Sequence, residues 1–255
     1  MNQLRASETE GIKEMKMEVE ILGVSMPVYD KDDENAVLVA SGVGRPDELL
    51  AAAGRTCYQS FKKSTPENDE KLVKHMGQIG HYSVLEHCSI TILARGGSRA
   101  FTHQLVRHRH TGFSQESQRY CDEGNFGYVI PLSIKEAGLT DEFRRNMELF
   151  RNKYMELQAK LKQAKADGRI GSERKVNEDA RFYLPNAVCS EIVFTPNFAE
   201  LRHIFKKRLS THAQWEIFEC MRQVLEKVSK ISCAFDDFKA HFDAHGNLDD
   251  FRDRG

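Results

Sequence analysis

The stretch at residues 107–120 constrains the fold of this chain more than any other part of the sequence. Its fourteen residues read RHRHTGFSQESQRY and include three arginines and two histidines. Arginine is almost never buried without a partner, so a hydrophobic core cannot accommodate this composition. Apolar residues nevertheless flank it, at Leu105 and Val106 before it and at 128–130 after it. A cationic, hydrogen-bond-rich segment between apolar flanks indicates a rigid site for an anionic, planar ligand.

Composition and charge are those of an ordinary globular protein. The chain has 255 residues, of which 40% are hydrophobic and 29% are charged, which is enough apolar material for a core. Its formal net charge of -1 creates no global field that would steer it to nucleic acid or to a membrane surface. No apolar run is long enough to span a bilayer. We therefore expect neither nucleic acid nor membrane as a partner.

The cysteine pattern and the N-terminal sequence predict a cytoplasmic protein. The six cysteines are scattered and include no C-x-x-C pair. The N-terminal residues lack the apolar centre of a signal peptide. In a chain of this length, that combination predicts free thiols in a reducing compartment.

Hydrophobic periodicity predicts helices interleaved with a few strands, which favours an α+β fold in one domain because no steady βαβ rhythm is present. We expect a flexible N-terminal extension at 1–16, the domain at 17–230 and a charged C-terminal extension, an exposed tail or a terminal helix, at 231–255. Alternation indicates strands at 17–21, 89–94, 126–130 and 188–194, and an acidic turn is expected at 30–35. Three- and four-residue spacing indicates helices at 46–57, 67–79, 98–107, 140–168, 172–184, 197–209 and 215–230.

Arg107, Arg109 and Arg119, with the hydroxyl of Ser117, form the first candidate binding site. A guanidinium is planar, always charged and able to bind a phosphate through two hydrogen bonds. Three cations close in sequence repel one another unless anions lie among them. The alternative is a cluster of surface ion pairs, which is less compatible with the apolar flanks. Because no G-x-S-x-G elbow surrounds Ser117, we interpret it as a hydrogen-bonding group rather than a nucleophile.

The histidines at 81 and 87 raise the question of a metal site, since Glu86 precedes His87. Their spacing differs from that of the H-x-x-E-H zinc motif, and H-E-x-x-H does not occur in the chain. The three histidines between 103 and 110 do not share a helix face either. We therefore expect no metal ion. The alternative for this region is one or two surface histidines, with Glu86 paired to an arginine.

Residues 208–216, which read RLSTHAQWE, hold a second cluster of polar groups and the only tryptophan of the chain. The simple interpretation is a helix boundary, with Ser210 or Thr211 as the N-cap and Trp215 in the core. That interpretation leaves the clustering of Arg208, His212 and Gln214 unexplained.

Single residues elsewhere are less informative. Asn197 is a favourable N-cap, and Glu200 three residues later completes a capping-box-like pair. Arg181 would ordinarily be solvated on the polar face of a helix. Neither a P-loop nor a G-x-G-x-x-G motif is present, so an anionic cofactor would not use either of these phosphate cradles.

In their order along the chain, these motifs resemble the flavin-dependent thymidylate synthases, the ThyX family. The family signature, R-H-R followed by seven residues and Ser, is matched in full by Arg107, His108, Arg109 and Ser117. The likeness extends from about residue 17 to residue 228. Four other blocks agree in order: H-x-S-x-x-E-H at 81–87, D-A-R-x-x-L-P at 179–185, N-x-x-x-L-R-H at 197–203 and R-x-x-x-H-A-Q-W-E at 208–216.

The resemblance implies an activity and a fold. The reaction is the reductive methylation of dUMP to dTMP, in which methylenetetrahydrofolate supplies the carbon, NADPH reduces the FAD and the flavin passes on the electrons. No enzyme side chain attacks the uracil, which agrees with the absence of an activated Cys or Ser motif. The implied fold is ThyX-like, a central and mostly antiparallel sheet flanked by helices. The implied assembly is a homotetramer whose sites are shared between subunits.

The matched positions also imply roles for individual residues. The RHR arginines face the flavin diphosphate, and Ser117 and Arg119 lie at the dUMP phosphate. Arg208 resembles the arginine that stabilises the N3-deprotonated uracil, where a fixed cation lowers the pKa of N3. The implied cofactor-binding set is His81, Ser83, Arg107, His108, Arg109, Gln115, Asn197, His203 and His212. The implied substrate-binding set is Gln104, Arg107, Gln115, Glu116, Ser117, Gln118, Arg119, Arg181 and Arg208.

The chain departs from the family pattern at a few positions. Gly112 and Phe113 stand where other members often have Ser and Tyr. Ala199 stands where many members carry Arg, so a contact to the FAD phosphate is either missing or replaced by Arg202. The segment at 160–173 has no assigned role. Two other classes stay open, a nucleotide- or RNA-binding module without catalysis and a zinc hydrolase, and bound flavin distinguishes the synthase from both.

Overall fold

The computed structural model describes residues 12–27, 45–172 and 174–252. The acidic turn predicted at 30–35 and the first eleven residues of the predicted N-terminal extension lie outside these ranges. The strands are β1 (Lys13–Glu14), β2 (Glu18–Val24), β3 (Ile90–Ser98), β4 (Thr111–Gln115), β5 (Gly127–Tyr128) and β6 (Cys189–Pro196). The helices are α1 (Pro46–Tyr58), α2 (Pro66–Gln78), α3 (Tyr82–Leu85), α4 (Arg99–Leu105), α5 (Leu132–Glu136), α6 (Thr140–Ala166), α7 (Arg174–Ala180), α8 (Phe198–Arg208), α9 (Trp215–Val228) and α10 (Asp236–His245).

The α+β class predicted from the sequence is confirmed, with an antiparallel sheet flanked by helices. The main sheet has four strands in the order β2-β3-β6-β4. A separate pair, β1 with β5, is parallel, and places Lys13 opposite Gly127. None of the helices in the described ranges has the length and apolar character needed to cross a membrane.

Each predicted strand and helix has a counterpart in the structure, but the boundaries differ in one informative place. The helix predicted at 172–184 ends at Ala180 and continues as a 3₁₀ turn over Arg181–Tyr183. Proline at 185 accounts for the extended backbone of Leu184, since it disfavours helical backbone in the residue before it. Strand β4 and the short helices α3 and α5 were not predicted.

The chain forms two compact units. Unit 1 comprises residues up to 18, 94–104 and 114–192, and unit 2 comprises 19–93, 105–113 and 193–255. The boundaries between the two units therefore lie within strands β3, β4 and β6, so each of these strands contributes residues to both units. In unit 1, the cluster of Phe126, Tyr128, Ile130, Met147 and Val188 is buried, each at most 5% exposed.

Unit 2 has an aromatic core. The rings of Phe198 and Phe235 lie 4.9 Å apart, and those of Phe205 and Phe235 lie 5.9 Å apart. Helix α9 buries Ile217, Met221 and Val224 at three- and four-residue spacing, as its sequence pattern predicts. All six cysteines are free thiols, as predicted.

Arg202 on α8 lies inside this core, with none of its surface exposed. Its guanidinium donates two parallel hydrogen bonds to the Asp237 carboxylate, at 2.8 and 2.7 Å. It also donates to the carbonyls of Ala234 at 2.6 Å and Gly77 at 2.8 Å, and lies 4.1 Å from the centre of the Phe238 ring. The charged C-terminal region thus includes a packed helix, α10, rather than only an exposed tail.

Removing the Asp237 carboxylate should strongly destabilise the fold. Asp237→Ala leaves a buried guanidinium without its counter-charge, which costs about 3–5 kcal/mol of unfolding free energy. The measurement is urea unfolding of the full chain.

Asp243→Ala in the same helix is the matched control. Asp243 pairs with Lys239 and its side chain is 57% exposed, so its loss should cost less than about 1 kcal/mol. Equal losses in the two variants would contradict the structural role of the Arg202–Asp237 pair.

Candidate active site

The predicted site residues are divided between the two compact units. Unit 2 carries one group, at or near the RHR triplet and helix α8. Unit 1 carries the other, which follows strand β4. The unit 2 group is His81, Ser83, Arg107, His108, Arg109, Asn197, His203, Arg208 and His212, and the unit 1 group is Gln104, Gln115, Glu116, Ser117, Gln118, Arg119 and Arg181.

In unit 2, Asn197 begins helix α8 as predicted. Its Oδ1 accepts a hydrogen bond from the Glu200 amide at 2.8 Å. His203 is an exposed residue of this helix, and Arg208 is its last residue. His81, Ser83 and His212 are exposed as well, the first two at helix α3 and the third before helix α9.

His108 is the buried member of the RHR triplet, with 7% of its surface exposed. Its Nε2 accepts a hydrogen bond from Arg208 Nε at 3.0 Å. Its Nδ1 lies 3.7 Å from Glu200 Oε1, and the ring of His203 lies edge-on at 6.3 Å between centroids. Burial, together with the charges of Arg208 and His203, lowers the pKa of His108 to about 4. His108 is therefore neutral at physiological pH.

Arg107 and Arg109 differ from His108 in being exposed. Within the described part of the chain, neither has an ion-pair partner, so the alternative of a surface ion-pair cluster is wrong for both. Burial and the nearby charge of Arg107 lower the pKa of Arg208. Cations held this close to one another favour a bound anion, and the residues present fit a phosphate-bearing cofactor.

Arg202 does not replace the arginine that is missing at Ala199. That expectation is wrong, because the guanidinium of Arg202 is fully buried and bound to Asp237. Its side chain cannot reach a solvent-facing phosphate without breaking these bonds.

In unit 1, strand β4 positions Gln115. The side-chain Nε2 of Gln115 donates to Thr102 Oγ1 at 3.0 Å and to Ser190 Oγ at 3.1 Å. The next residue, Glu116, extends the pairing with strand β6, since its amide donates to the Glu191 carbonyl at 2.9 Å. These bonds fix the backbone at the start of the predicted phosphate-binding run.

The rest of that run combines an unsatisfied amide with an ion-paired arginine whose Nε has no hydrogen-bond partner in the described residues. Arg119 Nε lies 3.1 Å from a carboxylate oxygen of Glu178, and Arg174 Nε lies 3.4 Å from the other. Gln118 is 8% exposed, and its Nε2 has no hydrogen-bond partner within the described residues. Ser117 Oγ accepts from the Arg119 amide at 3.4 Å. An unpartnered buried amide next to a half-buried arginine is suited to a polar, anionic ligand.

Arg181 and Gln104 lie in the same unit and are half-buried. Arg181 Nε donates to the Glu178 carbonyl at 3.1 Å. The sequence predicted a solvated Arg181 on the polar face of a helix. In the structure the residue belongs to a 3₁₀ turn, and its side chain is held by this hydrogen bond.

The sequence did not identify Glu123, a carboxyl that is 6% exposed in unit 1. Burial, together with the nearby charge of Glu116, raises the pKa of Glu123 to about 8, although Arg99 opposes the shift. Glu123 Oε1 has no hydrogen-bond partner in the described residues. A single acidic residue among polar neighbours does not indicate burial, so the hydrophobic pattern of the sequence could not predict that Glu123 is buried.

Two alternatives from the sequence are wrong. Helix α9 is capped by Gln214, whose Oε1 accepts from the amides of Glu216 at 2.9 Å and Ile217 at 3.3 Å, and not by Ser210 or Thr211. Glu86 is exposed and forms no ion pair with an arginine in the part of the chain described. In the described ranges, no group of three His, Cys, Asp or Glu side chains could hold a metal ion.

The fold and the exposed cations define an α+β protein with binding groups for anionic ligands. The family model described as "Thymidylate synthase complementing protein" matches residues 38–232. The flavin-dependent thymidylate synthase of Nitratidesulfovibrio vulgaris is 42% identical over 184 residues, which is 68% of this chain and 73% of the relative. The proteins of the same name from Clostridium tetani (36% over 197 residues, 73% of this chain and 79% of the relative) and Mycolicibacterium vanbaalenii (38% over 200 residues, 75% and 79%) are also similar. The chain belongs to the flavin-dependent thymidylate synthase family.

Glu123 should make stability depend on pH. In the unfolded chain a glutamate has a pKa of about 4.3, so between about pH 4.3 and 8 the folded state holds a proton that the unfolded state lacks. Stability therefore falls as pH rises through this window, by at most about 1.4 kcal/mol per pH unit from this group. Glu123→Gln should remove this contribution, as measured by urea unfolding at pH 5, 6.5 and 8.

Glu142→Gln, which replaces an exposed carboxyl of the same unit, is the control and should keep the wild-type slope. A Glu123→Gln slope equal to that of wild type would show that Glu123 is ionised in the folded protein.

Proposed function

We propose that the chain catalyses the reductive methylation of dUMP to dTMP, with methylenetetrahydrofolate as carbon donor, NADPH-reduced FAD as electron carrier and no enzyme nucleophile on the uracil. The observation that carries this proposal is the RHR triplet, which holds two exposed arginines beside a buried, neutral histidine that binds Arg208. Membership of the family supports the assignment of this arrangement to flavin and uracil.

The flavin-binding role rests on the exposed cations of unit 2. Arg107 and Arg109 would hold the diphosphate, since both lack an ion-pair partner in the described residues. Asn197, His203, His81 and the other residues of the cofactor set would complete the contacts. His108 would contribute a neutral, buried ring, because its pKa of about 4 keeps it uncharged.

The substrate-binding role rests on the polar run of unit 1 and on Arg208. Ser117 and Arg119 would bind the phosphate of dUMP, with Gln118 supplying its unpartnered amide. Arg181 would be a further contact to dUMP. Arg208 would face N3 of the uracil and stabilise the N3 anion. His108 accepts a hydrogen bond from Arg208 Nε, which restricts the orientation of the cation before the substrate arrives.

Three of the six thiols are unsuited to act as an enzyme nucleophile, in keeping with the proposed mechanism. Burial raises the pKa of Cys88 to about 12 and also raises the pKa of Cys220 and Cys233. These thiols stay protonated at neutral pH and are poor nucleophiles. Six free thiols also support the proposed cytoplasmic location.

We propose a homotetramer whose subunits share their sites. Large aromatic side chains near the predicted phosphate ligands are exposed, with Phe182 82% and Tyr120 67% accessible. The tetramer itself is what the motif resemblance implies, and a second chain would cover these exposed side chains. The proposed partner is another copy of this chain.

Arg109→Ala should weaken flavin binding, because it removes a cation from the proposed diphosphate site. We expect the purified variant to be colourless and its Kd for FAD to rise at least about tenfold, as for the loss of a charge-assisted hydrogen bond. The measurement is the visible absorbance spectrum during titration with FAD. Arg145→Ala, which removes an exposed arginine of helix α6, should bind FAD as wild type does. A wild-type chain that takes up no FAD would overturn the proposed function.

Arg208→Ala should abolish dTMP formation while leaving FAD bound. Loss of a cation that stabilises a developing anion costs about 10²- to 10³-fold in turnover. The measurement is dTMP formation from dUMP, methylenetetrahydrofolate and NADPH. Lys207→Ala, the exposed neighbour on the same helix, should retain activity. Near-normal turnover by the Arg208 variant would refute the N3 role.

A further inference from the structure

Helix α8 carries a charged residue near each of its ends, and His108 lies between them. Glu200 is in the first turn of the helix and Arg208 is its last residue. Eight residues of α-helix separate their backbones by about 12 Å. The imidazole bridges the gap, with Nδ1 3.7 Å from Glu200 Oε1 and Nε2 3.0 Å from Arg208 Nε.

This arrangement determines which ring nitrogen of His108 carries the proton. The guanidinium of Arg208 can only donate, so Nε2 must be the unprotonated acceptor. A neutral ring then carries its proton on Nδ1, which faces the Glu200 carboxylate. In the other tautomer, an N–H would point at the Arg208 N–H and a lone pair would point at the carboxylate. Both contacts of that tautomer are repulsive, so Glu200 favours the form that can hold Arg208.

We propose that Glu200 is a positioning residue that orients Arg208 towards the substrate by fixing the tautomer of His108. The inference rests on the proposed function, since it is the uracil site of dUMP that Arg208 would serve. Glu200 contacts neither substrate nor cofactor in this scheme. It acts through the histidine, as carboxylates commonly do when they orient an imidazole.

A simple capping role does not account for the position of this carboxylate. The N-cap function at α8 is performed by the Asn197 side chain, which accepts from the Glu200 amide. The side chain of Glu200 is 11% exposed and turns towards the buried His108. The helix dipole alone does not select this orientation, since a carboxylate anywhere in the first turn interacts with it.

The test compares Glu200→Gln, which removes the charge at nearly constant size, with Glu200→Asp, which keeps the charge. Glu67→Gln is the matched control, because Glu67 is an exposed acidic residue in the first turn of α2. Histidine-selective ¹⁵N NMR of the full chain, with and without FAD, reports the tautomer of His108, which is assigned from its absence in His108→Asn. In parallel, dUMP affinity and kcat/KM for dUMP are measured on the FAD-loaded proteins.

We expect Glu200→Gln to lose the pure Nδ1–H tautomer and to lower kcat/KM for dUMP about 10- to 100-fold, as for other residues that orient a site through a histidine. Glu200→Asp should retain the tautomer, and Glu67→Gln should change neither property. An unchanged tautomer in a folded Glu200→Gln variant overturns the proposal, even if activity falls. A changed tautomer with unchanged dUMP affinity and turnover overturns it as well. Wild-type protein that binds no dUMP overturns the proposed function separately, whatever the tautomer.

Discussion

Arg202 holds a full positive charge where no solvent reaches it, and the position of helix α8 depends on how that charge is compensated. Its partners come from the end of α2, from the turn before α10 and from α10 itself. A buried guanidinium without such partners costs several kcal/mol, so all three segments must be in place whenever the chain is folded. Helix α8 is thereby held by an ionic contact on one side, while Asn197 and Arg208 lie at its two ends.

The arginines of this chain fall into classes that composition does not distinguish. Arg55 and Arg202 are buried and paired with carboxylates, and they stabilise the fold. Arg107 and Arg109 are exposed, without ion-pair partners in the described ranges, and they are available to a ligand. Arg208 is intermediate, since it is half-buried and oriented by a neutral histidine. Burial therefore separates structural charges from those that can serve binding.

Sequence patterns predicted the elements whose side chains alternate between core and solvent. Helix α9 was found because its buried residues recur at helical spacing, and Asn197 because an N-cap depends on local backbone geometry. Strand β4 was missed, since its residues are polar and its order comes from pairing with another strand. The burial and the contacts of Arg202, Glu200 and Glu123 depend on residues distant in sequence, so hydrophobic periodicity does not predict them. The motif order predicted the family, and the roles of the individual site residues stay predictions.

The ion pair between Arg119 and Glu178 has a consequence for how a ligand would enter. The carboxylate already occupies the arginine at 3.1 Å, and Arg174 shares the same carboxylate. If the dUMP phosphate binds at Arg119, it does so by exchange, with one anion displacing another rather than filling an empty position. A dianionic phosphate competes well in such an exchange, whereas an uncharged nucleoside gains nothing from it. The resident carboxylate would then lower the net gain from phosphate binding, because the existing ion pair must break before the new one forms.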